Sequence, residues 1–509
     1  MKPRISAAVV LLIGLLAAPF ARAQGWVVAE GGGLSGSETY MHDLFSFMVE
    51  KCGKEKPKVA IIGAVPLEKD ERVEAFQKAG AGEVVCLIIT EANADTQEIY
   101  DTLSTASIVF IRGGDQGRYV NWWRGKKTEA AIRAVFAKGG VISGSSAGCA
   151  IMGEWTYDAV KDGLSPREAL RDARHENLTI THGFLGLVPN VLFDTHFTER
   201  GRLPRTVVML GRIASVRHSG WKAGDTEGMT ASMAQKVRDT AAPIEYEANK
   251  GKPPSVGVFS PLGIGVDPRT AVCVGPDGVA IVKGEGTATL LKLSEVSSVV
   301  SVSGKPPSVT NVRYSLLLPE TTFSTKTGEV ISMPKGVASP MPKPPTSPAV
   351  ITPFTIDGGV ADDAKVGSLA IANAERREAE RKEDAGDQRA DASVVAGLNK
   401  VPCLVTTLAW SKRHPQWVFA MSQKALATHP GSMALFLDEG CRVDVDEKGA
   451  FHVKGEGKNP MSLVVLDARR AAHVGTQDAR PPRSHIDGAV VHIVAPGQTF
   501  DPTTGDVKD

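Results

Sequence analysis

A serine set between glycines, Gly144-Ser145-Ser146-Ala147-Gly148, directly follows the apolar run Val141-Ile142-Ser143. The pattern G-x-S-x-G after a strand and before a helix fits a sharp turn that holds a hydroxyl clear of a sheet, which makes Ser146 a candidate nucleophile. Glycine is needed two residues to either side because neighbouring backbone passes too close for a side chain. The backbone N–H of Ala147 would then face a developing oxyanion. A serine hydroxyl is a poor nucleophile without a base, so a histidine must come within hydrogen-bond reach. Of 11 histidines, His196 is the strongest candidate: it interrupts the strand-like run Val191-Leu192-Phe193-Asp194-Thr195-His196-Phe197, which ends in the charged segment Thr198-Glu199-Arg200-Gly201-Arg202. An α/β-hydrolase would place its acid between serine and histidine and would carry an early HGGG-like loop. That loop is absent here.

The elements that must position these residues are legible as short apolar runs: 26–29, 59–62, 84–89, 107–111 and 140–143. They alternate with polar, helix-compatible stretches, and each is almost continuously apolar, which predicts an α/β fold with a mostly parallel sheet covered by helices on both faces. Ligand sites in such sheets lie at the carboxyl ends of the strands. Three runs end in informative sequence there: Glu30-Gly31-Gly32-Gly33, Arg112-Gly113-Gly114-Asp115-Gln116, and the Ser146 turn.

At 509 residues the chain exceeds one ordinary domain, since cores tend to split beyond roughly 250 to 300 residues. Lys2 and Arg4, an apolar run over 7–16 and Ala21-Arg22-Ala23 have the layout of a secretory signal peptide over residues 1–23, so export to the periplasm or medium is expected, with no membrane anchor afterwards. With 58 basic and 57 acidic residues the net charge is +1, which offers no general field for nucleic acid or membrane. The six cysteines are scattered, without zinc-site spacing. Neither a metal nor an organic cofactor is expected. Cys86 falls in the apolar run 84–89, where a buried thiol acting as a small hydrophobe is expected.

After a first domain over 24–335, the proline-rich stretch 339–353 and the charge-dense 372–393 predict a linker over 336–397. The remaining segment, 398–509, echoes the end of the first domain. Val282-Lys283-Gly284-Glu285-Gly286 recurs as Val453-Lys454-Gly455-Glu456-Gly457, and Asp267 falls on Asp438 by the same shift. A smaller, degenerate C-terminal half-repeat is therefore expected. It has no serine turn, and Thr406-Thr407-Leu408-Ala409-Trp410 offers no histidine.

The ordered set Gly31-Gly32-Gly33, Gly113-Gly114-Asp115-Gln116, Gly144 to Gly148, Gly186-Leu187-Val188-Pro189, Asp194-Thr195-His196-Phe197, Arg200-Gly201-Arg202 with Arg205, and Gly263-Ile264-Gly265-Val266-Asp267 resembles the cyanophycinase and aspartyl dipeptidase family of serine peptidases. The arginine cluster brings it nearer the cyanophycinases. The resemblance implies a fold related to class I glutamine amidotransferases, Ser146 as nucleophile, His196 as general base, and an oxyanion held by the N–H groups of Gly114 and Ala147. It further implies that Asp115, Gln116, Asp194, Arg200, Arg202 and Arg205 line a cleft for a peptide polymer, and that the protein is a homodimer. Guanidinium groups suit carboxylates, and aspartates suit a cationic side chain, as cyanophycin would require: a polyaspartate bearing arginine, released as Asp-Arg dipeptides through an acyl-enzyme.

Two departures stand out. Thr195 replaces the glutamine of the family's DQHF signature, and Pro268 stands where the family carries the glutamate of its triad. Asp267 or another carboxylate could substitute, or the acid could come from Glu439, onto which Pro268 maps in the C-terminal repeat. The alternatives are a dipeptidase or isopeptidase on other acidic peptides, and a noncatalytic polymer-binding protein with an eroded triad.

Overall fold

The computed structural model describes residues 25–67, 70–217, 261–294, 296–337, 354–357, 367–371, 394–396, 401–407, 415–428, 431–477 and 483–509. The expected leader 1–23 and the stretch 372–393 lie outside them.

All five expected strands of the first region form: β1 (Trp26–Glu30), β2 (Val59–Gly63), β3 (Val84–Ile88), β4 (Ile108–Ile111) and β5 (Val141–Ser145). They pair in parallel in the order β1-β5-β4-β2-β3. Their near-continuous apolar character follows from helices on both faces. Tyr40, Phe45 and Met48 of α1 (Glu38–Cys52) and Phe76 of α2 (Arg72–Lys78) pack on Val28, Ile61 and Phe110. On the opposite face, α3 (Gln97–Ser104), α4 (Gln116–Trp123) and α5 (Lys127–Ala137) pack on Val27, Ile62 and Val109. Burying each such side chain contributes roughly 1.5–3 kcal/mol. Cys86, expected inside, is exposed instead, because β3 is the last strand of this sheet.

The sheet is not purely parallel. Four antiparallel strands, β10 (Thr270–Val274), β11 (Val279–Gly284), β15 (Thr322–Ser324) and β16 (Val330–Ser332), extend it beyond β1 in that order. A second, larger sheet holds β6 (Gly153–Tyr157), β7 (Ile180–His182), β8 (Val188–Asp194), β9 (Leu262–Val266), β12 (Ala288–Lys292), β13 (Ser298–Val300) and β14 (Ser308–Leu317). Three short or amphipathic helices complete this region: α6 (Ala147–Ala150), α7 (Pro166–Arg171) and α8 (Leu203–Arg217).

The stretch expected as a linker contains three strands, β17 (Phe354–Asp357), β18 (Gly367–Ile371) and β19 (Val394–Ala396). Each is a short run of apolar or β-branched residues hidden among charges and prolines, too brief for its composition to show against that background. Beyond them come β20 (Val401–Thr407), α9 (Pro415–Thr428), β21 (Met433–Leu437), β22 (Cys441–Val445), β23 (Phe451–Gly455), β24 (Leu463–Asp467), β25 (His473–Gln477), β26 (Arg483–Val494), β27 (Thr499–Asp501) and β28 (Asp506–Lys508). The second sheet continues through both regions, because β14 pairs antiparallel with β26. One apolar cluster spans the junction, from Trp155 and Val207 through Tyr314 to Leu435 and Ile493.

Candidate active site

β5 ends at Ser145, and the chain reverses at Ser146 with φ 51 and ψ −111 before entering α6. A non-glycine residue in this region is strained by about 1–3 kcal/mol, and the surroundings must hold it. They do: the Ser146 N–H donates to the Glu30 carbonyl at 2.9 Å. Atoms at the Cβ positions of Gly144 and Gly148 would lie 2.5 Å from the Gly148 carbonyl carbon and 2.3 Å from the Ile111 oxygen, so only glycine fits on either side. A Cβ at Gly113 would lie 3.4 Å from that of Ser146, so the Gly113-Gly114 loop packs against the serine turn, and Ala147 directly follows Ser146. The loop carrying Gly114 is fixed from below by the buried Tyr119 hydroxyl, which donates to the Arg112 and Gly113 carbonyls at 2.8 and 3.1 Å.

His196 sits just past β8, also at positive φ (44°), and its N–H donates to the Gly31 carbonyl at 2.9 Å. Its Nε2 lies 3.1 Å from Ser146 Oγ. From His196 the chain makes a helical turn in which the Arg200 N–H reaches the His196 carbonyl at 3.0 Å. Residues three apart share a face of such a turn. Glu199 thereby places Oε2 at 2.6 Å from His196 Nδ1. Serine, imidazole and carboxylate form one line, the geometry in which a carboxylate orients the ring and stabilises the imidazolium formed when Ser146 loses its proton.

The carboxylate on the ring is therefore neither Asp267 nor Glu439. Asp267 is occupied elsewhere: Oδ1 accepts the Thr198 N–H at 2.8 Å, and Oδ2 accepts the Thr287 N–H at 3.2 Å and its hydroxyl at 2.6 Å. Burial pushes its carboxyl above the ordinary value despite these bonds. Its place is beneath the turn that presents Glu199. Glu439 pairs with Arg167 of α7 at 3.1 Å.

Two expected cleft residues are internal. Asp194 is buried and held by both arms of Arg205, at 2.9 and 2.6 Å, with the Thr206 hydroxyl at 2.7 Å. Burial alone would raise its carboxyl, but Arg205 and Arg202 outweigh that and lower it. Arg205 is itself buried and donates to the Leu164 carbonyl at 2.7 Å. A charge pair this enclosed is satisfied within the fold and is shut away from a ligand. Arg202 is largely buried too, bonded to the Thr195 carbonyl at 2.7 Å and to its hydroxyl at 3.2 Å. Arg200 is exposed on the turn beside Glu199, Gln116 is half-buried at the start of α4, and Asp115 is exposed, capping α4 through the Gly117 N–H at 2.8 Å and paired with Arg118 at 3.4 Å. Asp115, Gln116 and Arg200 are thus the expected cleft residues left facing outward.

Glu30 is a further participant, which the sequence offered only as the start of the Glu30-Gly31-Gly32-Gly33 segment with no role attached. Its buried Oε1 accepts the Gly32 N–H at 3.0 Å, and Gly32 is so close to His196 that a side chain there would come within 2.3 Å of Nε2. Burial pushes the Glu30 carboxyl up to about 7, against hydrogen bonds from Ser145 and Gly32 and the charges of Arg72 and Arg269. Among the described residues no group of three or more His, Cys, Asp or Glu is placed to hold a metal ion.

The chain is similar in sequence to known peptidases. Residues 27–213 match the family described as Peptidase family S51. The chain is 25% identical over 284 residues to a cyanophycinase of Synechococcus elongatus, an alignment covering 53% of this chain and 71% of that protein. It is 28% identical over 182 residues to a cyanophycinase of Trichormus variabilis, covering 34% of this chain and 58% of that one. A cyanophycinase of Geminocystis herdmanii is 29% identical over 143 residues, covering 28% of this chain and 50% of the relative. The likeness to peptidase family S51 lies in residues 27–213, the part of the chain that carries the Ser146 elbow, His196 and Glu199.

Proposed function

We propose that this chain is an exported serine peptidase that hydrolyses cyanophycin or a closely similar acidic polymer, releasing Asp-Arg dipeptides. His196 Nε2 takes the proton of Ser146 Oγ as the oxygen attacks the substrate carbonyl carbon. The N–H groups of Gly114 and Ala147 receive the oxyanion. His196 then gives the proton to the leaving amine, an ester forms on Ser146, and water activated by the same imidazole hydrolyses it. Glu199 fixes the tautomer and carries the opposing charge. Arg200 meets a substrate carboxylate, and Asp115 with Gln116 meets its cationic end.

The observation that carries this reading is the 3.1 Å and 2.6 Å succession from Ser146 through His196 to Glu199. It supplies the acid that Pro268 removes from the family's usual place. Incubating the mature chain with cyanophycin and following Asp-Arg by mass spectrometry tests it: release is expected from wild type and none from Ser146→Ala. No release by wild type removes the substrate. Undiminished release by the variant removes the mechanism. The enclosure of Asp194 and Arg205 favours a second reading, an isopeptidase or dipeptidase on other short acidic peptides, because it leaves Arg200 as the outward-facing arginine of the cluster. Cleavage of such peptides in preference to the polymer would establish it. Export is tested separately, by recovering the protein from the periplasm or medium with an N-terminus near Gln24.

A further inference from the structure

The large sheet reads the same from both ends. Its strands run β19-β18-β20-β21-β24-β26 and then β14-β12-β9-β8-β6-β7. Matching from the outside inward pairs β19 with β7, β18 with β6, β20 with β8, β21 with β9, β24 with β12 and β26 with β14, and each match keeps the parallel or antiparallel sense of its neighbours. The small sheet β17-β22-β23-β27-β28 repeats β1-β10-β11-β15-β16 in order. Register agrees residue by residue: Val27 faces Val274 in the first region, and Phe354 faces Val445 in the second. After β17 the chain even retains Gly358-Gly359 where β1 is followed by Gly31-Gly32.

The C-terminal region thus has counterparts of β1 and of every strand from β6 to β16. Among the described residues β2 to β5 have no counterparts, and only nine positions, 358–366, separate β17 from β18 in the sequence. The missing part is the one that contains the oxyanion loop and Ser146.

The junction fixes how the two regions are related. Ladder positions equate residue 292 with 467, and these face 313 and 490 respectively. Residue 313 therefore corresponds to residue 490, and across the junction Arg313 faces Val490 itself. On either side, Tyr314 faces Ala489 and Val312 faces Val491, which are exchanged by the same correspondence. A strand that pairs antiparallel with its own equivalent about a self-matched residue lies on a two-fold axis, the arrangement of an isologous dimer.

We infer that residues 354–509 are a second protomer built into the chain: a copy stripped of its nucleophile-bearing strands and kept for the interface it makes. The chain is its own partner, and the homodimer expected from sequence is replaced by this internal one. The copy also braces the catalytic half. Asp438 and Glu439 grip Arg167 of α7 at 3.8 and 3.1 Å. The residue preceding the α7 cap, Leu164, gives its carbonyl to Arg205, which holds Asp194 two residues before His196. From the other side, Gln423 of α9 donates to the Tyr314 hydroxyl at 3.0 Å and lines one crevice with Phe197 and Thr198.

The inference does not depend on the substrate, and neither does its test, made on the full mature chain. Sedimentation across the micromolar range is expected to give the mass of one chain throughout; a two-chain species that grows with concentration overturns the internal partner. Hydrogen exchange then tests the brace in Arg167→Lys and in Glu439→Ala, which removes a half-exposed carboxylate and leaves Arg167 still facing Asp438 at 3.8 Å. Exchange in peptides covering 164–171 and 195–203 is expected to be several-fold faster in Glu439→Ala, with 308–317 unaltered, and Arg167→Lys, which keeps the charge, is expected to retain most of the protection that Glu439→Ala removes. Unaltered exchange over 195–203 in Glu439→Ala overturns the brace.

Discussion

Replacing Glu199 by glutamine keeps the volume of the side chain and removes its charge from His196. The carboxylate lies 2.6 Å from Nδ1, with side-chain exposures of 29% for Glu199 and 14% for His196, so the pair is only partly reached by water. A unit charge pair at such an interface interacts by roughly 4 kcal/mol at close range. That interaction develops as the imidazole becomes imidazolium, so its loss falls on the transition state and lowers kcat about a thousandfold, with KM little changed. Glutamine can also donate to Nδ1 and favour the wrong tautomer, which acts in the same direction. Steady-state kinetics of dipeptide release on wild type, Glu199→Gln and Asp267→Asn measures this. Asp267→Asn, which loosens only the bonds to Thr198 and Thr287, is expected to cost about tenfold or less. A Glu199→Gln enzyme within threefold of wild type, or an Asp267→Asn enzyme that loses a thousandfold, refutes the assignment.

Three other outcomes follow from the geometry. Ser146→Gly relieves a strained backbone, and after the added freedom of the unfolded glycine it is expected to raise stability by about 1 kcal/mol, visible as a Tm higher by about one degree than that of the equally inactive Ser146→Ala. Asp194→Asn leaves the buried Arg205 without its charge partner and is expected to cost about 3–5 kcal/mol in urea unfolding; a loss below 1 kcal/mol would contradict the enclosure described for the pair. Glu30, raised by burial from an ordinary 4.5 to about 7, binds its proton more tightly folded than unfolded. Its contribution is fully present below pH 4.5 and is lost as pH rises through 7, about 3 kcal/mol in all. Thermal unfolding of Glu30→Gln between pH 5 and 8 should lack this decline, and an identical slope in wild type and variant would exclude Glu30 as its source.

The Ser146–His196 pair was legible because its constraints are local. A serine between two glycines needs only the neighbouring backbone, and His196 announces itself by breaking an apolar strand. Glu199 was in plain view within the charged segment, but its role depends on Arg200 closing a helical turn onto His196, which makes the three-residue spacing effective. Without that turn Pro268 drew attention to the wrong corner. Asp194 and Arg205 were misread for a related reason: eleven residues separate them, and only the packing of α8 against the end of β8 shows that they neutralise each other. The internal copy was visible in the repeated Val282 to Gly286 string and the Asp267 match, whereas the copy of β1 at Phe354–Asp357 shares no residue identity with Val27–Glu30 and emerges only from its register.

The junction between β14 and β26 has a consequence for how this protein can change. In a pair of identical chains, every substitution at the axis is made twice, and the residue on the axis must tolerate its own image. Two arginines face to face would repel. Here one gene writes both sides separately, so Arg313 meets Val490, and its guanidinium is free to pair with Glu329 at 2.6 Å and Asp487 at 3.6 Å. Tyr314 opposite Ala489 and Val312 opposite Val491 show the same departure from self-matching. Fusion has released the two faces from having to mutate in step, and a large residue on one side can settle against a small one on the other.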